Sequence, residues 1–348
     1  MPAGWRPLAP VFSPHRIPLR GRRYGGPGQY QCARIRDRSH GRARSPGQLP
    51  CTLLASVPSP SLCGAEIMGE RTAIHGAQAL LTEISGYGRT LVAFSGGVDS
   101  SVVVAAAART LGPDRMAAVT AVSPSLPDEE LLAATRFCEE LGVAHHRVDT
   151  HEMDVSGYRA NGRRRCYFCK SSLLDAARAL AAERGYDTVA TGTNTDDVVD
   201  RFRPGIAAAA ERGARTPLAD AGLGKSAVRA VARLWSLPTW DKPAMACLAS
   251  RIAYGIEVTP NRLARVERAE IAVRRLLGPA GKGNVRVRDL DTSVRIEVDR
   301  ESLPAVLRDP RLAEAVREAG FGELPVAVHE FRSGSMNHLP PVPRRLSR

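Results

Sequence analysis

Two short strings carry the thiols that could do chemistry. One is RRRCYFCK, with Cys166 and Cys169; the other is KPAMACLASRIAYG, with Cys247. A C-x-x-C preceded by three arginines is electropositive, which lowers thiol pKa and favours thiolate. Taken alone it reads as a redox pair or as half of a zinc site. A zinc site wants four ligands, and no second C-x-x-C or histidine pair supplies them. Three thiolates suit a cubane iron–sulfur cluster with one iron left open. Cys138 falls on an apolar helical face and reads as core, the usual fate of a lone cysteine. Cys32, Cys51 and Cys63 lie in an N-terminal stretch with no pattern around them.

A second string is built to hold something with its main chain. LVAFSGGVDSS runs from apolar residues into Ser95, Gly96, Gly97, Asp99, Ser100 and Ser101. Glycines let an anion approach the backbone closely. A helix starting near Asp99 would offer free N–H groups and a positive dipole end, and the serines add hydroxyl donors. The loop holds no lysine, so it is not G-x-x-x-x-G-K-[ST], and it is not G-x-G-x-x-G. Two phosphates held by backbone and hydroxyls suit pyrophosphate as a leaving group. The plain alternative is a glycine-rich strand-to-helix turn.

These strings need elements to position them. TLVAFS, MAAVTAVSP, AHHRVDT and YDTVATGTN read as strands; GAQALLTEIS, SSVVVAAAARTLG, PDEELLAATRFCEELG and KSSLLDAARALAAERG read as the helices between them. Strands alternating with helices predict an α/β fold with a doubly wound parallel sheet. Ligands in such sheets sit beyond the carboxyl ends of the strands, where the glycine loop lies. After Gly255 the order becomes helix, strand, strand, helix, strand, which predicts a smaller C-terminal α+β domain closing the site.

At 348 residues with a net charge of +13, the chain has room for more than one domain. The charge is unevenly spread: residues 1–67 hold ten arginines against Asp37 and Glu66. The case for a basic nucleic-acid face on the rest is therefore weak. That same stretch has ten prolines and no sustained apolar period, so it reads as disorder or as sequence upstream of a true start at Met68. It lacks the apolar centre of a secretory signal, although its arginines resemble a transit peptide. With no run of about 18 apolar residues, no membrane span is expected, and the expected location is the cytoplasm.

The string SGGVDSS resembles the PP-loop, or ATP-pyrophosphatase, superfamily, and TGTNTDD (residues 191–197) is similar to its second conserved stretch. The resemblance implies that ATP is split to AMP and pyrophosphate while a substrate oxygen is adenylated. It also implies Mg²⁺ near Asp196 or Asp197; the alternative for these carboxylates is a helix N-cap. KPAMACLASRIAYG, RFRPG, ERGARTPL and HEFRSGSMN together resemble the LarE family, sulfur transferases that build the nickel-pincer nucleotide cofactor. That likeness runs from about Met68 to Asn337. It implies adenylation of a carboxylate of pyridinium-3,5-biscarboxylic acid mononucleotide, then displacement of AMP by sulfur, once for each carboxylate.

Members supply sulfur in two ways. Some sacrifice one cysteine, at the position of Cys247, and lack the C-x-x-C. Others hold a 4Fe–4S cluster on three cysteines, and the presence of Cys166, Cys169 and Cys247 favours that route. The resemblance also places Lys170 near the adenylate, and Ser250, Arg251, Arg286 and Glu270 near the anionic substrate. The family's RIPYG reads RIAYG here, with Ala253, which loosens one turn. Homo-oligomers, hexamers in the known case, are implied as well. The expected division is 1–67 as an extension, 68–255 as the ATP domain, 256–337 as the C-terminal domain and 338–348 as a tail. Rival readings are a tRNA thiolase, an amidating enzyme akin to NAD or GMP synthetase, and a nucleotide sensor without catalysis.

Overall fold

The computed structural model describes residues 60–199, 204–243 and 246–338. Most of the N-terminal extension, residues 201–203 of the RFRPG string and the tail from 339 onward lie outside them. The described residues belong to one compact unit. Its first helix, α1, spans Pro60–Ser85 and so runs through Met68.

The α/β layer follows in the predicted order. Strands β1 (Thr90–Ala93), β2 (Met116–Val122), β3 (Ala144–Asp149) and β4 (Thr188–Ala190) form one sheet in the order β3-β2-β1-β4, every pairing parallel. Between them run α2 (Val98–Leu111), α3 (Asp128–Leu141), the one-turn α4 (Ser156–Arg159) and α5 (Arg165–Arg184). Helix α2 is apolar nearly all round and is buried to match, from Val102 to Ala107. It lies in a core shared with α1, α3 and the later helix Lys225–Leu234, while Ala177 and Ala181 of α5 pack with Leu91, Ala117 and Val119 of the sheet in a separate cluster. Helices α3 and α5 each end on a left-handed glycine, Gly142 and Gly185.

Short helices α6 (Thr195–Val199), α7 (Gly205–Glu211) and α8 (Pro217–Asp220) follow β4, then α9 (Lys225–Leu234). The later elements are α10 (Pro260–Leu277), β5 (Val285–Asp289), β6 (Val294–Val298), α11 (Leu303–Arg308), α12 (Arg311–Val316) and β7 (Val326–Glu330). Thr259 caps α10 by accepting from the Arg262 N–H, with Pro260 in the first turn. The second sheet has the order β5-β6-β7, with β5 antiparallel and β7 parallel to β6. Its core takes in Tyr158, Leu248, Ile252 and Val258 from before α10, so the segment around Cys247 packs with the second sheet. An isolated bridge from Ile252 to Asp289 makes the same connection.

Several elements differ from the sequence expectation. The helix expected over GAQALLTEIS begins at Pro60. The helix expected from Lys170 starts at Arg165, which puts the C-x-x-C inside its first two turns. The single helix expected over LPAVLRDPRLAEAVREAG is broken at Asp309-Pro310 into α11 and α12, because the residue before a proline is driven out of the helical region. Among the described residues no helix is long and apolar enough to cross a membrane.

Candidate active site

The glycine loop lies at the carboxyl end of β1 and opens α2. Gly96 takes a left-handed φ of +72°, which reverses the chain, while Gly97 caps α2 with an ordinary φ of −84° and no side-chain hydrogen bond. The first N–H groups of α2 are thus left to an incoming anion. The hydroxyls are partly spent on the loop itself: Ser100 Oγ donates to Gly97 O at 3.1 Å, and Ser101 Oγ to the same carbonyl at 2.9 Å. Ser101 is fully buried, whereas Ser95 is exposed, 3.2 Å from the Ser100 hydroxyl.

The second nucleotide string is packed against the first by main chain. A Cβ on Gly192 would stand 2.7 Å from the Ser100 nitrogen. Asn194 Nδ2 donates to Asp99 Oδ1 at 3.1 Å. Asn194 also accepts from the Asp197 N–H at 3.1 Å, while its own N–H reaches Asp197 Oδ2 at 3.4 Å. That reciprocal pair is a capping arrangement in which Asn194 is the cap. Asp196 Oδ2 accepts from the Lys225 N–H at 2.7 Å and so closes the start of α9.

Two lysines from late in the chain complete this loop, and sequence reading missed both. Lys225 Nζ is paired with Asp99. Lys242 Nζ donates to Gly96 O at 3.0 Å and to Glu130 Oε2 at 2.6 Å. The available signals were a glycine-lysine opening α9 and the lysine of the very string quoted for Cys247. The loop without a lysine is therefore served by lysines from elsewhere.

Cys169 adjoins Lys170 in sequence, and Cys166 and Cys247 are near enough to influence Cys169. Cys166 is exposed, and Cys169 and Cys247 are half-buried. Burial is the largest influence pushing the Cys169 thiol up; Cys247, Glu152 and Cys166 push the same way and Lys170 opposes them. The expectation that the arginine run lowers this thiol is therefore corrected for Cys169. Arg163 and Arg164 point into solvent, and burial beside other thiols outweighs them. Burial lowers the Lys170 ammonium, against the pull of nearby Cys169 and Asp197. Glu152 is buried beside Cys169, and among the described residues its Oε2 has no hydrogen-bond partner. Cys138 is fully buried, as expected, and burial pushes its thiol up to about 12.

Cys247 opens a 3₁₀ turn, Leu248–Arg251, whose Leu248 N–H is tied to Ser125 O at 2.9 Å. Arg251 is fully buried and forked onto Glu270, at 2.8 and 3.2 Å, and it also donates to the carbonyls of Ala246 and Cys247. Glu270 in turn accepts from the Val287 N–H at 3.1 Å. Ser250 Oγ donates to Cys247 O at 2.8 Å, and Arg288 holds the Ser250 carbonyl. Arg286 stands over Phe331; burial, with Arg251, Arg274 and Arg288 close by, brings it down to about 10. The five residues carried over from the resemblance thus divide. Arg251, Glu270 and Ser250 grip the Cys247 turn, Arg286 belongs to a cluster of guanidiniums, and Lys170 is close to both Cys169 and Asp197.

The donor set can be tested against a metal group. The three thiols influence common neighbours, yet among the described residues no three His, Cys, Asp or Glu side chains converge on one ion.

Residues 87–161, from the end of α1 past β3, match the asparagine synthase family. A protein of Synechocystis with no assigned function is 45% identical over 254 residues, 72% of this chain and 92% of that protein. Pyridinium-3,5-bisthiocarboxylic acid mononucleotide synthase of Lactiplantibacillus plantarum is 34% identical over 250 residues, 72% of this chain and 89% of its own length. The chain belongs to the LarE family. LarE membership and the asparagine synthase match make it an ATP-using enzyme with a PP-loop fold. A third relative, a Methanocaldococcus jannaschii protein of unassigned function, is 23% identical over 248 residues, 70% of this chain and 91% of that one. The glycine loop and β1 to β3 fall inside the asparagine synthase match; Cys166, Cys169, Cys247, α9 and the second sheet fall outside it.

Proposed function

We propose that this LarE-family chain is an ATP-dependent sulfur transferase acting on pyridinium-3,5-biscarboxylic acid mononucleotide. ATP binds with its phosphates on Gly96, Gly97 and the start of α2, and Lys225 and Lys242 neutralise the departing pyrophosphate. Mg²⁺ would be held by Asp197 and the phosphate oxygens, the usual mix of one or two carboxylates with substrate. A substrate carboxylate oxygen attacks the α-phosphorus, pyrophosphate leaves, and an acyl adenylate forms. Lys170 stands beside that adenylate. Sulfur then attacks the acyl carbon, the carbon–oxygen bond to AMP breaks, and AMP leaves with a thiocarboxylate in its place. Repetition on the other carboxylate gives the bisthiocarboxylate.

The observation that carries this reading is Lys170, whose ammonium lies close enough to feel both Cys169 and Asp197. Sulfur chemistry and phosphate chemistry therefore share one boundary. Cys166, Cys169 and Cys247 would hold a 4Fe–4S cluster, which supplies an exchangeable sulfide at its open iron. The arginine cluster around Arg286 meets the substrate's phosphate and carboxylates, which bidentate guanidiniums suit. Segment 68–255 acts as the ATP domain and 256–337 as the substrate domain, in a homo-oligomer, a hexamer by family likeness, working in the cytoplasm.

A second reading keeps the adenylation and makes Cys247 itself the sulfur donor. The thioester it forms eliminates to leave dehydroalanine. One observation favours it: no three ligating side chains converge among the described residues.

The decisive experiment supplies ATP, Mg²⁺, the dicarboxylate mononucleotide and sulfide under anaerobic conditions. AMP, pyrophosphate and a product in which sulfur has replaced oxygen are expected. ADP with phosphate would overturn the adenylation step, and an amidated product formed with ammonia would replace the sulfur step.

A further inference from the structure

Arg165 immediately precedes Cys166 and is buried, 5% exposed. Its Nη1 donates to Ala249 O at 2.8 Å and to Asn161 Oδ1 at 2.5 Å, and its guanidinium lies 5.6 Å from the Tyr254 ring centre. Ala249 is two residues past Cys247. Asn161 is fully buried in a left-handed conformation, φ 51°. Its Nδ2 donates to Ile252 O at 3.2 Å and to Ala253 O at 2.8 Å, and its carbonyl accepts from the Gly255 N–H at 3.2 Å. One side of this seam precedes the C-x-x-C and the other follows Cys247.

A buried guanidinium is costly unless an anion compensates it. Among the described residues no carboxylate pairs with Arg165. It adjoins Cys166 in the chain and hydrogen-bonds the carbonyl of Ala249, two residues past Cys247. The buried carboxylate nearby, Glu152, sits beside Cys169 and Tyr158 and is not bonded to Arg165. Arg251, the other buried arginine of this region, is fully matched by Glu270. The two arginines grip the same turn, and only one of them brings its own counter-ion.

We propose that Arg165, braced by Asn161, is the positioning residue of the sulfur site: it joins the C-x-x-C to the Cys247 turn and supplies the buried positive charge that an anionic sulfur group there requires. The proposal rests on the sulfur-transfer reading and deepens it. It gives Arg165 two separable duties, a fork that hydrogen-bonds Ala249 and Asn161 and a charge. Lysine keeps the charge and loses the fork; methionine loses both.

The test uses the iron-free, reduced full chain and a bifunctional thiol alkylator, dibromobimane, which becomes fluorescent when two thiols displace both bromides. Neither ATP nor substrate is present, so the result does not depend on the adenylation reading. The parent chain is expected to cross-link Cys247 to Cys166 or Cys169, identified by peptide mass. Arg165→Met is expected to lower that yield by about tenfold or more, since a small misplacement of reacting groups is heavily penalised, with each thiol still singly alkylated. Asn161→Ala gives a second variant acting on the same seam, checked by melting temperature should Arg165→Met fold poorly. In the loaded enzyme, Arg165→Lys is expected to retain more thiocarboxylate formation per pyrophosphate released than Arg165→Met. Parent-like cross-linking in both Arg165→Met and Asn161→Ala would overturn the positioning role. Equal ratios for Arg165→Lys and Arg165→Met would overturn the charge. Absence of pyrophosphate from the parent chain itself would instead defeat the adenylation reading and leave the cross-linking result standing.

Discussion

Lys225 Nζ is ion-paired with Asp99 at the first turn of α2, across 126 positions of sequence. A carboxylate inside a phosphate loop would repel a polyphosphate if left bare. Here it holds a lysine at the loop, while Lys242 is held in the same way by Glu130.

Lys225→Met and Lys242→Met should each cut pyrophosphate formation by about 100-fold, the scale of losing one preorganised charge at a transition state. Stability should change little for Lys225→Met, because the pair is partly exposed and such pairs are worth about 0–1 kcal/mol. Steady-state pyrophosphate release and thermal melts on the same samples check this. Parent-like turnover in both variants would exclude the lysines from the phosphate site.

The two loop glycines should fail differently. Gly96→Ala forces a side chain into a left-handed backbone, a cost of about 1–2 kcal/mol, and should lower the melting temperature. Gly97→Val meets no such penalty: φ is −84°, and the nearest atom to a Cβ is Ser95 Oγ at 3.5 Å. It should fold normally and lose AMP formation, because the added methyls occupy the approach to the backbone. A Gly97→Val enzyme with normal turnover would move the phosphates elsewhere.

Cys166→Ala, Cys169→Ala and Cys247→Ala should each remove most of the iron and the activity from anaerobically prepared protein. Intact mass after reaction separates this from self-sacrifice. An unchanged mass with several turnovers per chain is expected when sulfide is supplied. Loss of one H₂S at Cys247 from iron-free protein would establish the second reading.

Glu270→Gln should destabilise the fold by about 3–5 kcal/mol, the usual result of removing one partner from a buried ion pair. It leaves Arg251 buried without its anion. Melting under denaturant measures it. A variant as stable as the parent but unable to bind substrate would make Glu270 a ligand-binding group and not a brace for the Cys247 turn.

Burial raises the Cys138 thiol to about 12, against about 8.5 in an unfolded chain. A raised thiol keeps its proton when folded, so its contribution is intact below pH 8.5 and is lost as pH climbs toward 12. Stability should therefore fall with pH over that window. Cys138→Ala should flatten the slope while lowering stability at neutral pH. An unchanged slope would mean that Cys138 ionises no differently in the two states.

The sheet was legible because β1 and β2 are short apolar runs and strands alternate with helices, although β3 reads AHHRVD, and α2 because Val102 to Ala107 has no polar face. The glycine loop was legible because its chemistry is local. Lys225 and Lys242 were not, since nothing in SGGVDSS indicates which distant segment folds over it. Arg165 was read as one of three like charges, and only burial separates it from Arg163 and Arg164. The same burial reversed the expectation for the Cys169 thiol.

At Gly192 the main chain of one nucleotide string is the wall against which the main chain of the other rests, with no side chain between them. Side-chain contacts can be retuned one atom at a time, whereas this one admits no gradation. Any residue larger than glycine there would push Ser100 and the start of α2 out of place. The spacing between the two strings is thus a fixed length in the molecule, and variation in this enzyme must enter through the groups around that seam.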